Sequence, residues 1–218
     1  MKSYICLDTE TTGTNPNNGD KIVEIGCVKI ENNKVTDTIF HSYVNPKMPI
    51  PVEAIKVHKI TDAMVENEKI FSEIAKDLLD FIGETTVVAH NAKFDRSFVN
   101  NELDSAGFSI IPESQWIDSL FLSKAIYPGE RASLDKLAER MRIDNQNRDT
   151  KGHSAIVDAK ILADIFVKII ENYNIDSFKV ENFAGIKKLD EVKTPRYIYS
   201  INEEEEIAHL EILKIINA

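Results

Sequence analysis

Asp8 and Glu10, in the stretch CLDTETTG at the end of an apolar run, are the first residues whose types and spacing suit chemistry. Side chains at i and i+2 of a strand share a face, with Cα atoms roughly 7 Å apart. Two buried carboxylates without a counter-charge repel each other and do not both stay ionised. No Lys or Arg lies in the motif. A divalent cation is the natural counter-charge, and hard oxygen ligands suit magnesium or manganese. Taken alone, the pair fits a solvated turn equally well.

Two further segments shift that balance. AHNAKFD sets His90 and Asn91 at the end of an apolar run and Asp95 in the first turn of a following helix. For a single aspartate, the ordinary preference for acidic residues at helix starts is sufficient explanation. GHSAIVDA places His153 just ahead of a helix capped by Ser154, with Asp158 one turn inside it. Residues five apart diverge by about 140° on one helix, so His153 belongs to the preceding loop. Imidazole titrates near neutral pH, and beside a carboxylate-metal cluster it can act as a general base.

The elements that must position these residues are read from periodicity. Residues 3–8, 22–30 and 35–44 are rich in Ile, Val, Tyr and Phe and are separated by turn-prone TNPNNGDK and ENNK. They predict three strands paired as an antiparallel meander. NPKMPIPVEAIKVHKITD reads as an extended connection ending in a short helical turn. Helical spacing follows at Ile70, Ile74, Leu78 and Phe81 or Ile82. TTVVAH and SQWIDS predict two more strands, and NAKFDRSFVNNEL a helix with Phe94, Phe98 and Leu103 along one side. Further helices are expected at 119–126, 133–141 and 154–172, the last with Ala155, Leu162, Ile165 and Ile169 on its apolar face. The sum is an α/β fold with a mixed five-stranded sheet flanked by helices.

Composition sets the outer bounds. The 218 residues are 43% hydrophobic and 28% charged, the ordinary mixture of a globular protein, with a net charge of -10. An acidic chain offers no basic stripe for nucleic acid, although bound divalent cations can reverse the local field and a partner can supply affinity. Cys6 and Cys27 lie in apolar segments without zinc-type spacing and read as core thiols. The N-terminus reaches a carboxylate before a signal-peptide core can form, and no run approaches a membrane span. Cytoplasm is the expected compartment and no membrane partner is expected.

DTETTG, HNAKFD and HSAIVDA, in that order and separation, resemble the three motifs of the DEDDh 3′–5′ exonuclease family. GDKIVEIGCVKI, PVEAIKVHKITD and SLDKLAERMRIDN are similar to segments of the proofreading epsilon subunits of bacterial DNA polymerase III within it. Two departures stand out: Ser154 replaces a glycine common after the motif histidine, and NRDTKGH is a longer approach to it.

The resemblance implies a ribonuclease H-like fold over 1–173, a linker at 174–200 and a terminal helix at 201–218. It implies that Asp8, Glu10, Asp95 and Asp158 hold two Mg2+ or Mn2+ ions, Asp95 partly through water, and that His153 takes the proton from the attacking water. Asp8, Glu10 and Asp158 would also meet the substrate, and Glu53 and His58 would contact the terminal nucleotide. Thr11 and Phe94 are lesser candidates for such contacts. The expected activity is metal-dependent removal of mismatched 3′-terminal nucleotides from DNA. An exoribonuclease of the same family and a non-catalytic interaction module are the alternatives. NEEEEIAHLEILKII, with Ile207, Leu210, Leu213 and Ile216 every third residue, is similar to the stretch through which epsilon subunits engage the polymerase catalytic subunit. NYNIDSFKVENF lacks the Gln that opens a sliding-clamp peptide, so clamp binding stays open.

Overall fold

The computed structural model describes residues 2–127, 129–145 and 153–173. The proposed linker at 174–200 and terminal helix at 201–218 therefore lie outside the described residues, as does most of NRDTKGH.

Strands β1 (Ser3–Thr11), β2 (Ile22–Glu31) and β3 (Lys34–Tyr43) form the expected meander. Asn32 and Asn33 close the β2–β3 hairpin, both with positive φ (52° and 60°), the conformation that two-residue hairpin turns demand and asparagine tolerates. β4 (Thr86–Ala89) adds to the other side of β1 in parallel, and β5 (Trp116–Asp118) pairs in parallel with β4. The order is β3-β2-β1-β4-β5, a mixed five-stranded sheet.

β1 runs three residues beyond the expected 3–8, because β2 pairs with Thr9, Glu10 and Thr11 as well. The register then slips between Glu10 and Thr11, skipping Val23. Val23 is buried in a small apolar cluster with Ile50, Ile60 and Val65. On that cluster rest two short helices, α1 (Val52–His58) and α2 (Asp62–Val65), where the sequence predicted one turn. Pro51 directly precedes α1, with a fixed φ and no N–H to lose, so it starts the helix rather than prolonging the extended run.

Alternation divides the sheet into two faces. Ile5, Leu7, Ile25 and Cys27 pack with α3 (Phe71–Ile82) and α4 (Ala92–Ser105). Tyr4, Cys6, Val28 and Ile30 pack with α5 (Ser119–Ile126), α6 (Leu134–Met141) and α7 (Ala155–Tyr173). Burying Ile165, Phe166 and Ile169 completely stabilises the seat of α7 by about 1.5–3 kcal/mol per side chain. Tyr4 meets Phe166 edge-on at 5.0 Å between ring centroids. Both cysteines are buried free thiols, which burial pushes up in pKa. Among the described residues no helix is long and apolar enough to cross a membrane.

One close approach fixes the position of α7. Gly26 lies opposite Asp8 in the β1–β2 ladder, and a Cβ there would meet the Ile156 backbone N and Cα at 2.5 Å. A glycine inside a strand often marks such an approach of another backbone. Here it lets the start of α7 lie directly on the sheet beside the carboxyl end of β1.

Candidate active site

The two faces meet at the carboxyl end of β1. Asp8 and Glu10 share the α7 face by alternation, and Glu10 is buried opposite Glu24 of β2. Thr9, between them, points to the α4 face, where its hydroxyl donates to Asp95 Oδ1 at 2.8 Å. Because β4 runs parallel to β1, its carboxyl end delivers α4 to the same edge of the sheet. The turn is tight: Asn91 takes the left-handed region at φ 71°, and its N–H donates to Asp118 Oδ1 at 3.1 Å. Asp118 also caps α5 through Leu120 N at 2.9 Å, so β5 braces the turn that carries Asp95.

Asp95 is fully enclosed, and burial pushes its carboxyl up to about 7, partly offset by the Thr9 hydroxyl and backbone donors. A carboxyl so desolvated is fully ionised at neutral pH only with positive charge nearby.

α7 brings the third segment. His153 stands in the loop ahead of the helix, as expected, with its Nδ1 3.4 Å from Asp158 Oδ2. Asp158 is buried, whereas the His153 side chain is 42% exposed. Glu10, His153 and Asp158 each offer a ligand atom, and those atoms lie within 4.8 Å of one another. A cluster of this size with two carboxylates has the donor chemistry of a hard divalent cation site. The structure thus brings Glu10, His153 and Asp158 into one cluster. Asp8 stands two residues from Glu10 on the same face, and Asp95 approaches from the other side of the sheet.

His58 and Glu53 divide differently. His58 is buried at the end of α1, with its Nδ1 accepting from Ile60 N at 3.0 Å, and its buried Nε2 meets no partner in hydrogen-bond geometry among the described residues. Burial lowers its pKa, against the pull of the Thr11 backbone and Glu24, and His153 adds to the lowering. The neighbouring Val57 carbonyl accepts from His153 N at 3.3 Å, so α1 borders the cluster directly. Glu53 is exposed on α1 and paired with Lys56 one turn on.

The sequence reading missed Thr9, which donates to Asp95, and Gly26, over which α7 starts, and it singled out neither Glu24 nor His41, which face each other at 2.8 Å. Glu24 and Gly26 carried a signal, a charge and a glycine inside the apolar run IVEIGCVKI. Thr9 and His41 carried none, since each matters only through a partner distant in the chain.

The exonuclease family model matches residues 5–166, spanning all three segments. The chain belongs to the exonuclease family. Among relatives of this exonuclease, the DNA polymerase III subunit epsilon of Rickettsia prowazekii is 37% identical over 191 residues, 86% of this chain and 80% of the relative. The subunit of the same name from Haemophilus influenzae is 34% identical over 232 residues, 98% of this chain and 90% of its own. Of solved structures, exonuclease X bound to 5′-overhanging duplex DNA superposes with a TM-score of 0.61 at 27% identity, covering 83% of this chain and 97% of that one. A 3′-exonuclease recognising a histone mRNA stem-loop gives 0.66 at 19% identity, covering 78% and 82%, a likeness of fold alone. The exonuclease is a 3′–5′ enzyme of a divalent-metal-dependent family with a ribonuclease H-like sheet.

Proposed function

We propose that this exonuclease removes mismatched 3′-terminal nucleotides from DNA as the proofreading subunit of a replicative DNA polymerase. The observation that carries the reading is the convergence of Glu10, His153 and Asp158, in a chain whose relatives are epsilon subunits along most of their length.

Asp8, Glu10, Asp95 and Asp158 would hold two Mg2+ or Mn2+ ions. When bound, such ions neutralise a scissile phosphate and make water a nucleophile at neutral pH. The chain's own residues supply the rest. His153 is exposed enough to meet solvent, and with Nδ1 turned to Asp158, its Nε2 accepts the proton from the attacking water. Asp158 holds the imidazole in orientation. His58 offers a buried ring nitrogen, and Glu53 an exposed carboxylate, to the sugar and base of the terminal nucleotide. Separating mismatched bases costs less than separating a matched pair, so a site that takes only an unpaired end discriminates without reading base identity.

Residues 1–173 form the exonuclease domain, 174–200 a linker, and 201–218 the segment that binds the polymerase catalytic subunit. Support for the last is the apolar repeat at Ile207, Leu210, Leu213 and Ile216 and the naming of the relatives as polymerase subunits. An acidic exonuclease gains DNA affinity from such a partner. Deleting 201–218 is expected to abolish that binding and leave free-strand digestion intact; undiminished affinity refutes the assignment.

The deciding experiment digests a 3′-labelled primer, matched or mismatched at its end, beside RNA of the same sequence, with Mg2+, Mn2+ or EDTA. Asp8→Ala runs beside the wild type. The expected result is mismatch-preferring DNA digestion that requires metal and Asp8. Activity confined to RNA moves the chain to the exoribonucleases, and equal rates on paired and frayed ends remove the proofreading role.

A further inference from the structure

Glu24 is an acid at the edge of the carboxylate cluster for which the chemistry above has no use. It is 1% exposed and lies directly opposite Glu10 in the ladder. An unpaired carboxylate there would add a further negative charge to a site already crowded with them. Its oxygens are instead taken by three donors. Oε1 accepts from the Ser154 hydroxyl at 2.9 Å and faces His41 Nε2 at 2.8 Å, and Oε2 accepts from Ala155 N at 3.0 Å. Ala155 opens α7, and its N–H is one of those a helix start leaves without an internal acceptor. Ser154 directly follows His153.

Glu24 therefore differs in kind from Glu10. Both stand on the same face of neighbouring strands, but two of the three bonds of Glu24 run to the segment that carries His153 and Asp158. They fasten the segment between His153 and Asp158 to the sheet, immediately above the Gly26 gap that lets this segment descend. His41, on β3, backs the carboxylate from the far side.

We propose that Glu24 is a positioning residue for the nuclease reaction, setting His153 and Asp158 against Glu10 through Ser154 and the first turn of α7. The inference rests on the roles given to those residues under the proposed function. Ser154 extends the clamp by a side-chain bond that the glycine common at this position lacks. Glu24 acts through its hydrogen-bond shape, not through its charge on the metal. Glutamine keeps that shape: its oxygen accepts from Ala155 N while its amide donates to the serine hydroxyl and to the histidine ring, since both of these can accept.

The test compares Glu24→Ala with Glu24→Gln in the full chain, measuring kcat and KM on a frayed DNA primer and the 13C-edited ring resonances of His153. Partners that orient ligands typically contribute 10–100-fold to activity or metal affinity. E24A is expected to lose 10–100-fold in kcat with KM within twofold, and to shift the His153 resonances. E24Q is expected to recover to within about threefold of wild type with the resonances restored. Ser154→Ala is expected to lower kcat a few-fold alone and to add nothing to E24A, because the serine acts through the glutamate. A folded E24A with wild-type kcat and an unshifted His153 overturns the proposal. So does an E24Q as impaired as E24A, which would make the charge decisive. If E24A unfolds at the assay temperature, S154A decides, and an S154A with unchanged kcat and His153 resonances overturns the proposal. The His153 resonances report the clamp even on a wild type that digests no DNA, which separates failure of this inference from failure of the proposed function.

Discussion

Replacing Gly26 by alanine tests whether the approach of α7 to the sheet sets the chemistry. The added Cβ would lie 2.5 Å from the backbone N and Cα of Ile156 and 2.6 Å from the Ala155 carbonyl carbon. Carbon atoms pack at about 3.5–4.0 Å, so the start of α7 must retreat by about 1 Å. His153 and Asp158 flank that point and retreat with it. Misplacing reacting groups by about 1 Å costs on the order of 100-fold in rate. Overpacking of this kind costs about 1–3 kcal/mol of stability, so the variant stays folded when the starting stability is ordinary. Single-turnover digestion of a mismatched 3′-labelled primer at saturating enzyme, beside thermal melting, reads both quantities. The expected result is a folded protein slowed about 100-fold. Trimming Ile156 to alanine in the same chain restores nothing, because the contact is with backbone. A folded Gly26→Ala that cleaves within threefold of wild type refutes the reasoning.

Three other outcomes are expected. His153→Ala loses about 10²–10⁴ in kcat at unchanged fold, measured on the same primer, and a loss below tenfold removes the base assignment. Asp95→Asn becomes progressively more stable relative to wild type as pH rises from 4 to 7 in EDTA. The wild-type carboxyl, pushed up to about 7, keeps its proton in the folded state over a range where the unfolded chain has lost it, so wild-type stability falls through that window. Urea denaturation checks this, and a pH-independent difference refutes it. Glu53→Ala, at an exposed side chain on α1, raises KM several-fold with little change in kcat or melting temperature. Unchanged KM places Glu53 outside the substrate contacts.

Periodicity and three short motifs carried much of the architecture. The meander, the helical spacing of residues 70–82 and the apolar stripe of the last described helix were legible because each is a local pattern. Ile74, Leu78 and Ile82 are buried, as are Ala155, Leu162, Ile165 and Ile169. The ends were less legible. β1 continues through Glu10 because β2 offers it a ladder, and nothing in TETT itself specifies that partner. α1 was hidden by the prolines around it, although Pro51 sits where a proline favours a helix start. At the site, carboxylates paired by alternation are visible in a string of letters. The uses of Thr9, Gly26 and the helix-bound oxygens of Glu24 are not, because the atoms they meet in α4 and at the start of α7 lie between 86 and 131 residues away in sequence. The burial of Asp95 likewise follows from α4 packing and not from HNAKFD.

The order in which the site is threaded has a consequence for synthesis. Every strand among the described residues is complete by Asp118, and Asp8, Glu10 and Asp95 are then already in the chain, whereas His153 and Asp158 arrive only with the last described helix. The ribosome releases the chain from its N-terminus, whereas a domain generally folds as a unit. On the roles proposed above, a chain released only as far as β5 holds the acids without the base. Such a chain would turn into a nuclease only when α7 reaches the gap at Gly26, so truncated or stalled chains would present no cutting edge to DNA.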